Sequence, residues 1–396
     1  MNNNSLNIAM LGHKHMLSRE GGVEIVVYQL ATRMSKMGHC VVCYDRSVQH
    51  VSGNTPIDDR REVDGVKIIP VYTLNLRGLA AMTSSFSAAV KAGFSKADVV
   101  HIHAEGPAAM CGLVKLIWRV RGKKKDGNRR VIVTIHGLDW QRSKWGGFAS
   151  KYIRFGERQA VRYADEIIVL SRGVQEYFKS AYNRDTVFIP NGVSRPEIRE
   201  ADEITRQWGL SKDSYILFLG RIVPEKGLRY LVEAWRSIHT DKKLVIAGGS
   251  SDTETFLNEL RKTAQADNRI IFTGFQQGIV LEELYSNCYI YCLPSDLEGM
   301  PLSLLEAMSY GNCCVVSDIA ECAEVVEDKA VSFPRGNVEE LGETLQKLID
   351  SPETVIKYKK NAADFITGKY SWDDVVDRTL NLYRGQNTQP QGGYGE

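Results

Sequence analysis

Residues 288–311 read Cys-Tyr-Ile-Tyr-Cys-Leu-Pro-Ser-Asp-Leu-Glu-Gly-Met-Pro-Leu-Ser-Leu-Leu-Glu-Ala-Met-Ser-Tyr-Gly. The run Cys288–Leu293 is apolar and β-like, and a short helical stretch opens a few residues beyond it. Pro301 suits the first helical position, where its fixed φ and missing N–H cost nothing. Gly311 suits the left-handed cap at the other end. The first turn of that helix would aim N–H groups and a partial positive charge at the strand tip, which makes an anion site. Glu298 and Glu306 frame it. Carboxylates repel phosphate, so beside an anion site they would accept hydrogen bonds from sugar hydroxyls. An ordinary surface helix, with Glu298 as a cap and Glu306 solvated, fits this segment equally well.

The same strand-then-helix unit recurs along the chain, as a parallel sheet covered by helices requires. Candidate strands in the first half are Asn7–Leu11, Cys40–Tyr44, Val66–Pro70, Val99–His103, Val131–His136, Glu166–Leu170 and Val187–Pro190. The second half restarts with Tyr215–Leu219, Lys243–Ala247, Arg269–Phe272, Ile290–Leu293, Cys313–Ser317 and Ala330–Phe333. Helical runs include Val23–Gly38, Gly227–Arg236, Glu254–Ala264, Leu281–Ser286 and Val338–Leu348. The turn Pro190-Asn191-Gly192-Val193 and the polar run after it mark the break. The reading is α/β: two doubly wound, Rossmann-like domains facing across a cleft, residues 1–194 and 195–371. A last helix, about 372–384, is a candidate to cross back to the first domain, and 385–396 reads as a disordered tail.

A chain of 396 residues suits two domains, each with its own core. With 43% hydrophobic and 25% charged residues and a net charge of +2, it is neither disordered nor of nucleic-acid-binding type. No apolar run is long enough to span a bilayer, and no basic-then-apolar leader opens the chain, so a cytoplasmic protein is expected. The eight cysteines read as buried reduced thiols. Cys40 and Cys43 fall on opposite faces of a strand, and Cys288, Cys292, Cys313 and Cys314 in apolar strand-like runs.

Several segments carry chemistry. In Gly220-Arg221-Ile222-Val223-Pro224-Glu225-Lys226-Gly227, Arg221 offers a planar fork suited to a diphosphate, and Lys226 a mobile point charge. A solvated loop with these cations paired to Glu225 or Glu233 is the alternative. Gly21 and Gly22, between the first strand and helix, allow close backbone approach to a ligand, with helix N–H donors behind them. No G-x-G-x-x-G occurs there, so Asp45 does not read as the ribose acid of a dinucleotide site. His136 ends a strand and faces the cleft, or else caps it. His101 and His103 share a face near Glu105, but no third metal ligand is evident.

In order and spacing the chain resembles a retaining glycosyltransferase of family 4, of the two-Rossmann-domain GT-B architecture, over roughly residues 7–385. The resemblance rests on Gly21-Gly22, Val99–His103, His136-Gly137, Pro190–Val193, Gly220-Arg221 with Lys226-Gly227, and Glu298 with Glu306. His136–Trp145, Phe155–Arg158 and Ala164-Asp165 further resemble a bacterial subgroup that builds surface polysaccharides.

The resemblance implies that Arg221 and Lys226 bind the diphosphate of a nucleotide-sugar donor. It implies that backbone N–H groups of Gly299, Met300, Pro301's neighbour Leu302 and the helix start hold the distal phosphate, approached by Gly21 and Gly22. Pro301 itself shapes that turn. Glu298 would meet hydroxyls of the donor sugar, Glu306 the ribose, His136 the sugar's C6 hydroxyl, and Phe275 would lie by the nucleobase. A UDP-sugar donor, no cofactor and no metal are implied, since cations and the helix terminus can take a metal's electrostatic role.

Lys115–Arg130 and Trp140–Arg162 interleave base with aromatic and apolar residues, among them Lys123, Lys124, Lys125, Arg142, Lys144 and Trp145. One reading rests this face on an anionic inner leaflet that presents a lipid-linked or oligosaccharide acceptor. The other is a solvated basic face over an ordinary core stripe. The function expected is hexose transfer to such an acceptor in cell-surface glycan synthesis. A nucleotide-sugar epimerase and a non-catalytic nucleotide-sugar-binding protein are the alternatives.

Overall fold

The structure, a computed structural model, describes residues 5–47, 60–76, 78–122, 129–141, 147–250 and 254–386. It divides into two compact units, Met1–Asn191 with Trp372–Glu396, and Gly192–Ser371.

The first unit holds β1 (Asn7–Leu11), β2 (Cys40–Arg46), β3 (Glu62–Val63), β4 (Val66–Val71), β5 (Val99–His103), β6 (Arg130–Ile135), β7 (Glu166–Val169) and β8 (Val187–Phe188). They stand in the order β3-β4-β2-β1-β5-β6-β7-β8. All pairs are parallel except β3 against β4. Val100, Ile102, Val131, Val133, Ile167 and Val169 fill the core with Ala88, Ala92 and Trp118 from the covering helices. Burial on both faces is why these strands read as continuous β-branched runs.

The second unit holds β9 (Tyr215–Leu219), β10 (Lys243–Ala247), β11 (Ile270–Gly274), β12 (Ile290–Leu293), β13 (Cys313–Ser317) and β14 (Val331–Phe333). Their order is β11-β10-β9-β12-β13-β14, every pair parallel. Strand order reverses between β9 and β12, and in the first unit between β1 and β5. Ligands of doubly wound sheets bind beyond the carboxyl ends at such a reversal. The loops after β9 and β12 are therefore where chemistry is expected, and they carry Arg221, Lys226 and Glu298.

Most strands lie within a residue or two of their expected bounds, and the helix Trp372–Tyr383 packs in the first unit. Three expectations need correction. Pro301 is not the first helical residue: it is the N-cap, at φ −75° and ψ 99°, and the helix runs Leu302–Ser309. Cys288 is not in a strand but caps the helix Ile279–Asn287. Cys40 is exposed, while the other seven thiols are buried as expected. β3 was missed because a two-residue edge strand has no periodicity to read; its signal is the Asp64-Gly65 turn, both residues at positive φ. Of the tail 385–396, residues from 387 on lie outside the described residues.

Candidate functional site

In the second unit, three strand ends are laced together by glycine backbones. Gly220 N–H donates to Ala247 O (3.0 Å), Ile222 N–H to Gly249 O (3.0 Å) and Gly248 N–H to Gly274 O (2.8 Å). Buried Ile222 and Val223 anchor the loop after β9, and Pro224–Lys226 form one 3₁₀ turn. That turn ends at Gly227, at φ 66°. A β-carbon on Gly227 would stand 1.8 Å from Pro294 O, so only glycine lets the β9 loop lie directly on the β12 loop. Asp296 N–H donates to Glu225 O across the same seam (2.8 Å).

This seam joins Lys226 to Glu298. Lys226 Nζ lies 2.6 Å from Glu298 Oε1, with the two side chains only 13% and 8% exposed. Ser295 Oγ donates to the same oxygen (2.6 Å), and Ser317 Oγ to Ser295 O (2.5 Å). Lys226 is thus paired with neither Glu225 nor Glu233, the partners a plain solvated loop would have used. Tyr230 OH donates to Asp296 (3.0 Å) and stiffens the turn before Glu298.

Gly299, Met300, Pro301 and Leu302 are all buried, and they lead into a helix whose start no side chain caps and whose first turn holds no acid. Glu306 is half-buried on that helix, and Tyr285 OH donates to its Oε2 (3.1 Å). Tyr285 lies fully buried and stacks on Tyr310 at 5.2 Å. Burial first, then the neighbouring Glu306, pushes the Tyr285 phenol well above its ordinary value, so it stays a proton donor to that carboxylate. Phe275 is half-exposed beyond β11, packed over Gly249. Parallel strands bring Arg221, Lys226, Glu298 and Phe275 to the carboxyl edge of one sheet.

In the first unit, Gly21 is the N-cap of the helix Gly22–Lys36. A carboxylate of the same helix stands beside that glycine. Glu24 Oε1 accepts Lys14 N–H (2.9 Å), and a β-carbon on Gly21 would meet Glu24 Oε2 at 2.2 Å. Burial alone would raise the Glu24 pKa. The Lys14 charge and the backbone N–H groups of Lys14 and Glu24 outweigh it and hold the pKa below the ordinary value. Gly21 and Gly22 therefore open a helix whose first turn carries a buried carboxylate bonded to Lys14 N–H. The spacing N-cap to third residue, as in a capping box, was the available signal. Asp45, likewise, is engaged with His13 Nε2 (2.8 Å) and Met16 N–H (3.1 Å).

His101 and His103 are core residues. His101 bonds Tyr383 OH (2.6 Å) and Thr134 Oγ1 (2.7 Å), and burial lowers its pKa to about 3. His103 shares a hydrogen bond with His136 at 3.1 Å and is held neutral by burial and its neighbouring histidines. Among the described residues no group of three or more His, Cys, Asp or Glu is placed to hold a metal. His136 is half-buried just past β6, at the start of the loop 136–141.

That loop is fastened by two carboxyl groups that sequence reading missed as a pair. Glu105 Oε2 accepts Asp139 N–H (2.8 Å). Glu157 accepts the Trp140 indole N–H (3.2 Å), Tyr177 OH (2.9 Å) and Tyr182 OH. Both carboxyl groups are fully buried.

The basic run splits into two kinds of surface. Lys115 pairs with Asp165 (2.5 Å) and Arg130 with Glu166 (3.0 Å), while Ile117 and Trp118 are core. Leu116, Arg119, Val120 and Arg121 of the same stretch are exposed. Lys123, Lys124, Lys125, Arg142, Lys144 and Trp145 lie outside the described residues. The helix Gly147–Tyr163, however, exposes Phe148, Lys151, Arg154, Phe155 and Arg158 along one side and buries Ile153, Gly156, Glu157 and Ala160 on the other.

Comparison with known proteins agrees with this architecture. The family model for glycosyl transferases group 1 matches residues 200–365, and that for glycosyltransferase family 4 matches 20–195. An uncharacterized glycosyltransferase of Methanocaldococcus jannaschii is 27% identical over 310 residues, 74% of this chain and 76% of that one. Alpha-D-kanosaminyltransferase of Streptomyces kanamyceticus is 24% identical over 302 residues, 72% and 76% of the two chains. The structure of Anabaena HepE in complex with UDP-glucose superposes with a TM-score of 0.78 at 16% identity, covering 96% of this chain and all of that one. That last likeness is one of fold.

Proposed function

Because the chain belongs to the family 4 glycosyltransferases, matched by one model in each half, we propose that it moves a hexose from a nucleotide-diphosphate sugar to a lipid-linked or oligosaccharide acceptor. The product keeps the donor's anomeric configuration. The observation that carries the reading is the Lys226–Glu298 pair at the strand-order reversal, beside an uncapped helix start. Bond cleavage leaves charge on a diphosphate, and Lys226, Arg221 and the helix N–H groups are the donors suited to that charge. These cations supply what a divalent metal would otherwise give, so transfer proceeds without one. Glu298, held by Lys226 and Ser295, presents its second oxygen to sugar hydroxyls. Glu306, oriented by Tyr285, accepts from the ribose, and Phe275 meets the base. His136 of the first unit is assigned to the reacting sugar. UDP-glucose, the ligand of the Anabaena protein, is the first donor to try.

Calorimetry with a panel of nucleotide sugars tests this. One nucleotide class binds in the micromolar range, and Glu306→Ala weakens it about 10- to 100-fold, the worth of hydrogen bonds to a charged group. The 2′,3′-dideoxy nucleotide binds the native protein and the variant equally. A variant that binds the ribonucleotide as tightly as native protein removes the ribose role of Glu306.

The acceptor half of the proposal is a cell-surface glycan built at the inner face of the plasma membrane. The exposed side of the helix Gly147–Tyr163 supports it: Phe148 is 75% exposed and Phe155 43%, with Lys151, Arg154 and Arg158 beside them. Aromatic groups that enter a headgroup layer beside cations suit an anionic leaflet, at roughly 1 kcal/mol per basic residue. Among the described residues no helix is long and apolar enough to cross a membrane. In flotation assays the protein should rise with vesicles containing anionic lipid, and the double variant Phe148→Ser, Phe155→Ser should stay at the bottom. Equal recovery with neutral and anionic vesicles would sink the membrane reading.

A further inference from the structure

We infer that Glu105 and Glu157 share one proton and act together as positioning residues for the loop that carries His136. The inference rests on the role proposed for His136.

β5 leads into Glu105 through Ala104, whose φ of 78° and ψ of 157° are a conformation that a residue with a β-carbon seldom adopts. Such a backbone costs of order 1–3 kcal/mol and persists only where the surroundings enforce it. Ala104 N–H is held by Thr134 O on β6 (2.9 Å), and the kink buries Glu105 completely. The helix Gly147–Tyr163 then lies directly on it. A β-carbon on Gly156 would stand 1.9 Å from Glu105 O, so Gly156 brings Glu157 alongside.

Glu105 spends Oε2 on Asp139 N–H (2.8 Å), and its Oε1 meets no N–H or O–H donor in the described residues. The close packing of Gly156 on Glu105 O sets the Glu157 carboxyl group beside Glu105, where its charge opposes a second one. Two buried carboxyl oxygens in contact need a proton between them, or they repel. Glu157 already accepts three donors, from Trp140, Tyr177 and Tyr182. Glu105 has burial and then the Asp139 and Glu157 charges against ionisation, so its pKa is raised far above the ordinary carboxyl range. The proton therefore resides on Glu105, which donates to Glu157 while accepting from Asp139.

The loop is fastened by this pair at Asp139 and Trp140, three and four residues after His136. Its other end is set by the bond between His103 and His136 (3.1 Å), and Gln141 N–H closes the turn onto Leu138 O (3.0 Å). Glu105 fixes the backbone at Asp139, and Glu157 fixes the Trp140 indole next to it.

The test compares Glu105→Gln with Glu105→Asp in the full chain. Glutamine keeps an N–H for Glu157 and a carbonyl for Asp139; aspartate keeps the acid but is one methylene too short. The probes are UDP released from UDP-glucose and amide hydrogen exchange across residues 136–141. We expect Glu105→Gln to keep kcat within about 3-fold. Glu105→Asp should lose at least about 10-fold in kcat at nearly constant KM, since small misplacements of a reacting group are costly. Exchange in the loop should quicken only in the aspartate variant. The infrared band of a protonated carboxyl at neutral pH should be present in native protein and absent in Glu105→Gln. The inference is overturned if that band persists in Glu105→Gln, or if glutamine and aspartate variants behave alike in exchange and kcat. His136→Ala separates the two readings. If it turns over normally, the role of His136 falls, while exchange and the infrared band still decide the glutamate pair.

Discussion

Replacing Lys226 by alanine should lower kcat about 10²- to 10³-fold, the cost of removing one preorganised donor from a site of developing negative charge. The same substitution has a second effect that must be separated from the first. Lys226 and Glu298 lie 2.6 Å apart and are almost fully buried, so the variant strands a carboxylate whose other hydrogen-bond donor is Ser295. Breaking such a pair from one side costs about 3–5 kcal/mol, and melting of the second unit should fall accordingly. The double variant Lys226→Ala, Glu298→Gln removes the stranded charge. It should regain most of the lost stability and none of the lost turnover. Circular dichroism melts and initial rates with UDP-glucose, taken together, check this. If the double variant recovered both, Lys226 would be a structural partner of Glu298 and nothing more.

The second large effect is expected at Gly227. Alanine there must hold φ near 66° and also place its β-carbon 1.8 Å from Pro294 O. The left-handed backbone costs of order 1–3 kcal/mol, and the overlap adds about as much again, because the opposing atom is backbone and cannot swing away. We expect the second unit to melt about 10 °C lower, at roughly 2–4 °C per kcal/mol for a unit of this size. Gly209 provides the control. Its φ is 64°, yet nothing lies within 4 Å of its missing β-carbon, so Gly209→Ala carries the backbone cost alone. Equal melting of the two variants would mean that the β9 and β12 loops do not press on each other at Gly227.

Much of the fold was legible because parallel strands are buried on both sides and so announce themselves as short β-branched runs, β5 and β13 most plainly. The Gly311 cap and the return of Trp372–Tyr383 to the first unit could also be anticipated. The site was half legible. Residues at strand ends, such as Arg221 and His136, are placed by the topology rule itself. Pairings across the fold are not: nothing in spacing joins Lys226 to Glu298, or Glu105 to Glu157, because tertiary packing sets those distances. Glu157 stands in sequence among Arg154, Phe155 and Arg158, where it reads as one more surface charge, yet it is fully buried. Nor does spacing show that Glu24, three residues after Gly21, turns back to Lys14 N–H and stands beside that glycine.

The placement of Trp372–Tyr383 in the first unit fixes an order of events during synthesis. The ribosome makes β1 through β8 first, but Tyr383, which bonds the buried His101 (2.6 Å), and Arg378, which bonds Phe188 O (2.5 Å), come some two hundred residues later. Until they emerge, the imidazole on β5 lacks its phenol partner and a hydrophobic stripe meant for Val375, Val376 and Leu380 stays open. Meanwhile the stretch Gly192–Ser371 has both its ends beside each other, Val193 N–H donating to Tyr370 O (2.8 Å), and can close as a self-contained insert. Released chains truncated after Ser371 should therefore carry a protease-resistant second unit and a first unit still open to cleavage.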